Sequence, residues 1–411
     1  MTRYLKHGFL LGLFVVQVIF PIYAEEATIA ENNNNSLSAQ DQQRLDALEK
    51  KVAELTKVKS SGFESRKNKW FEIGGELELE YRDSQGNTEE TDRQVGYMDI
   101  DKVVLVPKVT VDENASLSLS LVFNREGVEV DKAYLEMKKL WLNSALLIGL
   151  DDRFFYRGGT HRKTEGSPLI RSAFFRGTEH QIAWSGKQGW LYWNTALAQG
   201  FKLGAKQPSE DSAYKMLADK PQGKKEETNR NKTISAGLGL KGKLGPIGKI
   251  DIMGFAYRGK LSVDDIKILQ GITGYGATES DDTKRIMGGY FTLSLANLTL
   301  DTMYVKAQDG VLKRDGWYIR PSIKVNIPGW KRFNAFELVA RYGRLNVDLP
   351  AVPGTDFSET ATWDREQLTG ALIIDLYKHT KLKLEYYVNK EVTGGSEIAN
   401  NELLAQLEVK F

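Results

Sequence analysis

The chain has 411 residues, 56 basic against 54 acidic, and no cysteine; its mean hydropathy is −0.39. That hydropathy excludes a helical polytopic membrane protein but not a membrane β-barrel, whose strands turn only half of their side chains to lipid. Without cysteine there are no disulfides and no Cys-x-x-Cys-His for c-type haem, so no cofactor is expected.

Arg3 and Lys6, the apolar run Gly8–Phe20 and the small residue Ala24 read as a secretory signal peptide over residues 1–24. An uncleaved anchor helix is the alternative, but the run is short for a bilayer span. Its removal leaves a chain close to neutral, for which no nucleic-acid partner is expected. Residues 25–68 follow as a polar spacer with Asn32–Asn35 and a short helix. Ser38 and Asp41 supply an N-cap and an acidic first turn. Leu45, Leu48, Val52 and Leu55 then form a brief a/d seam, either a short periplasmic coiled coil or a single amphipathic helix.

From Trp70 the period changes to two. Phe71, Ile73, Leu77, Leu79 and Tyr81 alternate with Glu72, Glu76, Glu78, Glu80 and Arg82. A sandwich strand shares the alternation, but a fully charged second face suits a watery lumen. The chain closes the same way, with Leu403, Ala405, Leu407, Val409 and Phe411 on one face. A final apolar-alternating strand ending in an aromatic residue resembles the terminal signal of bacterial outer-membrane barrels.

Sixteen strands are expected between these ends, starting near Trp70, Gly96, Ala115, Glu129, Ser144, Thr178, Gly189 and Asn231. The second half starts near Pro246, Lys284, Asn297, Asp315, Arg332, Trp363, Lys381 and Asn401. Lengths near ten residues suit tilted spans of a bilayer. Seven short turns alternate with eight mostly longer connections, among them Asp83–Val95, Asp151–Gly177, Gly200–Arg230, Gly259–Thr283, Gln308–Arg314 and Asn346–Thr362. This parity fits an all-β transmembrane antiparallel barrel over residues 69–411, with short periplasmic turns and long external loops. Tryptophans cluster near strand ends, as interfacial girdles do. The Gly200–Arg230 connection is nearly balanced in charge and reads as a solvated external loop.

The third long connection is different. Asp151–Gly177 carries Arg153, Arg157, Arg162, Lys163, Arg171 and Arg176 against Asp151, Asp152 and Glu165, with Phe154, Phe155, Tyr156, Phe174 and Phe175 interleaved. A loop this long inside a compact domain is usually functional or disordered, and its aromatics argue against disorder. Folded into the lumen, its cations would form a pore constriction that favours anions. Arginine's planar fork suits phosphate and carboxylate. The alternative is a set of external charges, paired with the loop's own acids or with lipopolysaccharide phosphates. The glutamates of the first strand argue for an acidic wall.

Over Trp70–Phe411 the pattern resembles the phosphate-selective porin O and P family. The most specific stretch is Val130-Asp131-Lys132-Ala133-Tyr134-Leu135-Glu136-Met137, then Leu147-Ile148-Gly149, the basic loop, and Arg176-Gly177-Thr178-Glu179-His180-Gln181-Ile182-Ala183-Trp184-Ser185-Gly186. The resemblance implies a homotrimeric outer-membrane porin passing small anionic solutes, in contact with outer-membrane lipid and lipopolysaccharide. Gly149 is followed by Leu150-Asp151-Asp152 where the family commonly has a glutamine and a lysine. A porin for another solute class, such as dicarboxylates, is a second reading. A structural barrel that sheathes a partner protein or acts as an adhesin is a third. Catalysis is disfavoured: His180 and Ser185 lie five apart in a strand, on opposite faces, and no metal-ligand spacing occurs.

Overall fold

The computed structural model describes residues 70–84, 96–124, 127–155, 168–175, 177–206, 216–221, 232–273, 282–328, 333–348, 363–392 and 400–411. The expected signal peptide, spacer and coiled-coil helix lie outside them.

The first seven strands are β1 (Phe71–Ser84), β2 (Tyr97–Asp112), β3 (Ala115–Asn124), β4 (Gly127–Leu140), β5 (Ser144–Asp152), β6 (Thr178–Gln188) and β7 (Leu191–Ala198). A separate two-stranded hairpin follows, β8 (Phe201–Lys206) and β9 (Met216–Pro221). The sheet then resumes with β10 (Thr233–Lys243), β11 (Gly248–Lys260), β12 (Thr283–Leu295), β13 (Leu298–Asp309) and β14 (Leu312–Asn326). It finishes with β15 (Ala335–Asp348), β16 (Asp364–Tyr377), β17 (Thr380–Val392) and β18 (Glu402–Lys410). Two helices lie in the connections, α1 (Pro168–Phe174) and α2 (Val263–Thr273). All strands but β8 and β9 form one closed antiparallel barrel, with β18 paired to β1 through Leu79↔Leu407 and its neighbours. Closure leaves no edge, so every strand amide in the apolar layer finds a partner.

The strand starts agree with the sequence expectation to within three residues, the largest offsets being Leu312 for the expected Asp315 and Ala335 for the expected Arg332. Tight turns at one end alternate with connections at the other. The β13–β14 connection, expected as a loop, is a turn through Gly310, whose φ of +60° lets the chain reverse at once.

The two faces of the wall differ as a membrane barrel requires. Ile234, Leu238, Met287, Leu338 and Leu368 point outward and are 61%, 59%, 53%, 50% and 51% exposed. So broad an apolar surface stays out of water only in a bilayer. Trp70, Trp141, Trp190 and Tyr377 ring this belt at the turn end. At the loop end Tyr304 lies opposite Trp317, whose ring packs edge-on against Tyr342 at 5.4 Å. The lumen face is divided. Beside β1, β17 and β18 it is a hydrogen-bonded polar wall; on β11 to β15 it is apolar and carries the third connection.

Candidate functional site: the pore interior

The chain leaves β5 at Asp152 and turns at once into the barrel. Phe154 packs against Gly237 of β10, where a Cβ would lie 2.6 Å from its ring. Phe155 stacks flat on Phe255 of β11 at 4.6 Å and meets Phe175 edge-on. Proline at the first position of α1 costs no hydrogen bond, because that amide has no helical partner. The helix buries Leu169, Ile170, Ala173 and Phe174 against the inner wall. Ile170 and Phe174 occupy the space over Gly316 of β14, within 2.6 and 3.0 Å of where a Cβ would sit. Each buried aliphatic or aromatic side chain contributes roughly 1.5–3 kcal/mol. The glycines at 237 and 316 are therefore notches that admit the loop.

A buried ionic cluster fastens this loop to the β8–β9 hairpin and to the wall. Arg153 is 2% exposed; its Nη1 donates to Asp219 Oδ2 of β9 and to the Phe174 carbonyl, both at 3.0 Å. Its guanidinium lies over the Phe201 ring at 3.4 Å, with Glu179 3.9 Å from Nε. Lys284 of β12 bridges Asp219 at 3.0 Å and Asp309 at 2.9 Å. Arg314 of β14 reaches the same two carboxylates and also donates to the carbonyls of Ala173 and Leu217. Burial pushes the Asp219 carboxyl up, but Lys284, Arg153 and Arg314 outweigh it and hold it well below the usual carboxylate range.

The hairpin is itself roofed by α2. Ser262 and Asp265 form a reciprocal capping box, Asp265 N donating to Ser262 Oγ at 3.1 Å and Ser262 N to Asp265 Oδ2 at 3.0 Å. The second oxygen of Asp265 accepts from the Leu203 amide of β8 at 2.7 Å. Leu261, Ile266 and Leu269 pack there on Leu203, Leu217 and Leu312.

On the turn side of Phe154 the lumen widens into a cavity of about 630 Å³, lined by Lys138, Lys139, Lys187 and Lys241 with Asp251 as the acidic lining residue. Lys241 pairs with Asp251 at 3.0 Å, and Tyr192 donates to the same carboxylate at 2.7 Å. Lys243 and Lys249 extend the basic surface toward the turns. Across the lumen, Glu80 is held by Arg82 at 2.8 Å and Glu78 by Lys102 at 3.5 Å. Gln406 donates to Glu78 at 3.1 Å and to Glu80 at 2.9 Å. Glu76, Glu78 and Glu408 approach within 4.8 Å of one another, but Lys383 and Lys410 already take Glu408.

Of the six cations expected at a constriction, Arg157, Arg162, Lys163 and Arg176 lie outside the described residues. Arg171 is half-buried on α1. Arg153, expected to face the solute, is instead buried in the ionic cluster, because Asp219 and the Phe201 and Tyr257 rings enclose it. The Gly200–Arg230 connection, expected as solvated, contributes a buried hairpin with Phe201, Leu203, Met216 and Leu217 at 2% exposure or less. Sequence reasoning missed Asp219, Lys284, Asp309 and Arg314, which meet only in the fold. It also missed the lysines of the cavity. These had a signal, since Lys138, Lys187 and Lys241 all fall on the lumen parity of their strands beside short turns. His180 is exposed and its neighbour Gln181 buried, so Ser185 shares the lumen face and His180 does not.

No protein-family model matches the sequence, and no curated protein matches it. Solved structures do. OprB of Pseudomonas putida matches with a TM-score of 0.60 at 8% identity, covering 84% of this chain and 94% of that one. The outer-membrane channel DcaP of Acinetobacter baumannii matches at 0.51 and 11%, covering 83% and 97%. An anion-selective porin from Comamonas acidovorans matches at 0.50 and 11%, covering 83% and 98%. The likeness is one of fold and does not reach the phosphate-selective O and P family. With its outward apolar belt and closed antiparallel sheet, the chain is a sixteen-stranded barrel of the Gram-negative outer membrane, built as porins are.

Proposed function

We propose that this barrel is a porin giving passive diffusion of small hydrophilic solutes, with a preference for anions such as phosphate. The observation that carries the reading is the cavity below Phe154, lined by four lysines, of which Lys241 pairs with Asp251 and Lys138 with Glu136, leaving Lys139 and Lys187 in excess. In a narrow, low-dielectric passage such a charge excess raises the local anion concentration. The acidic wall does not cancel it, because Glu78, Glu80 and Glu408 are each paired with a cation. The third connection narrows the lumen above this cavity. Arg157, Arg162, Lys163, Arg171 and Arg176 would charge the constriction, while Arg153 holds the loop in place. The homotrimer remains part of the proposal and is tested by the mass of the detergent-solubilised assembly.

Planar-bilayer conductance under a KCl gradient tests the reading. The wild type is expected to show a reversal potential of Cl⁻ preference, reduced by K138Q/K139Q/K187Q/K241Q. Cation preference in the wild type, or an unchanged reversal potential in the quadruple variant, would overturn it. A barrel that inserts without conducting would point to a sheath or adhesin instead.

A further inference from the structure

The outer surface at the loop end carries a feature that a diffusion pore does not use. Arg258 of β11 and Arg285 of β12 are directly opposed in register, and both are exposed on the lipid-facing side of the wall. The same register row continues through Gln308 to Lys313 of β14. Lys306 of β13 stands one step nearer the membrane centre, opposite Met287. None of these four cations makes an ion pair among the described residues.

Like charges directly opposite on neighbouring strands repel, since their Cβ atoms lie only about 5 Å apart. A cation on the lipid face is a further cost that grows toward the bilayer centre. Nearby acids do not relieve Arg258 and Arg285. Asp282 is taken by Lys260 at 2.7 Å. Asp315 and Asp348 lie opposite Lys306 and Lys313, and Asp315 also accepts from Asn346 at 3.0 Å.

Their surroundings identify what fits. Tyr304 and Trp317, in adjacent positions just inside the row, mark the headgroup level. Below the cations the outward side chains are apolar, Ile252 and Ala256 on β11 and Met287 on β12. A ligand for this surface presents phosphate to the guanidiniums and acyl chain to the apolar stripe. A free phosphate satisfies the first half only.

We infer that Arg258 and Arg285, flanked by Lys306 and Lys313, form a binding site for a phosphorylated glycolipid of the outer leaflet. A phosphate between the two guanidiniums accepts from both and turns their repulsion into attraction. The bound lipid would fasten the barrel laterally in its leaflet. The site is separate from the lumen and independent of the ion preference proposed above.

The test is binding of lipid A carrying two phosphates to the purified, folded barrel, followed by native mass spectrometry. The wild type is expected to retain it, and R258Q/R285Q to bind about thirtyfold more weakly, at roughly 1 kcal/mol per basic residue. R258K/R285K should keep most of the binding, and a heat-modifiable band confirms that each variant is folded. Conductance and reversal potential of R258Q/R285Q should match the wild type, which separates this site from the pore. The proposal is overturned if folded R258Q/R285Q binds within threefold of wild type. It is equally overturned if lipid A stripped of phosphates binds as well, or if millimolar inorganic phosphate displaces the lipid completely.

Discussion

Asp219→Asn removes one negative charge at nearly constant volume. In the wild type that carboxylate takes Arg153 at 3.0 Å, Lys284 at 3.0 Å and Arg314 at 3.2 Å, all without exposure to water. Lys284 and Arg314 keep Asp309 in the variant, but Arg153 keeps the Phe174 carbonyl and, as a counter-charge, Glu179 at 3.9 Å. Removing one partner of a buried pair costs about 3–5 kcal/mol, because the remaining cation stays desolvated. The cost falls on the docked hairpin alone, since undocking rehydrates both groups. The detached population should therefore rise by about two to three and a half orders of magnitude. Limited trypsin digestion of the folded barrel reads this population directly when opening is fast relative to cleavage. A new cut is expected after Lys202 in β8, while the barrel itself remains heat-modifiable, because its strand ladders do not involve Asp219. A cleavage rate within threefold of wild type would refute the assignment of this cluster as the latch.

The same carboxyl sets a pH dependence. Its folded pKa lies below the unfolded value, so its contribution is complete above the ordinary carboxylate range and is lost only as pH falls through the depressed value. Trypsin-independent probes of docking, such as fluorescence of a label at position 220, should thus show the Asp219-dependent loss only well below about pH 4, as a step that Asp219→Asn abolishes. Gly316→Leu places a side chain where Ile170 and Phe174 now pack, an overpacking of about 1–3 kcal/mol; the third connection should be displaced and single-channel conductance altered, with an unchanged conductance counting against the notch. Asp265→Ala removes the acceptor of the Ser262 and Leu203 amides and leaves the Asp265 amide its bond to Ser262 Oγ, so the Ser262 and Leu203 amides should exchange faster while those of α1 do not. Deleting Phe411 removes its paired amide and carbonyl, at 3.0 and 2.8 Å from the Gly75 carbonyl and amide, together with the ring over that glycine; less folded barrel should accumulate in the outer membrane, read as loss of the heat-modifiable band.

Much of the fold was legible because a barrel strand is a local object. Period-two alternation, turn residues and the parity of connection lengths are all properties of a few neighbouring residues. Each strand from Phe71–Ser84 to Glu402–Lys410 stands close to where its pattern begins. The candidate site was legible only in outline. The third connection was marked by its aromatics and its charge, and Phe154, Phe155, Phe174 and Phe175 do pack inside the barrel. The fate of each cation was not marked. Arg153 and Arg171 are indistinguishable as letters in one loop, yet Arg153 is enclosed while Arg171 is not.

By itself the sequence determined a closed antiparallel barrel with two unequal ends, since each strand's apolar face can be satisfied only by lipid and each polar face only by a wet lumen. Tertiary structure decided what fills that lumen. Asp219 meets Arg153, Lys284 and Arg314 across separations of 66, 65 and 95 residues, and no local period encodes such a meeting. The β8–β9 hairpin and α2 are likewise short segments whose burial depends on a wall supplied from elsewhere in the chain. Long-range electrostatics and packing within the pore are therefore decided by closure of the barrel.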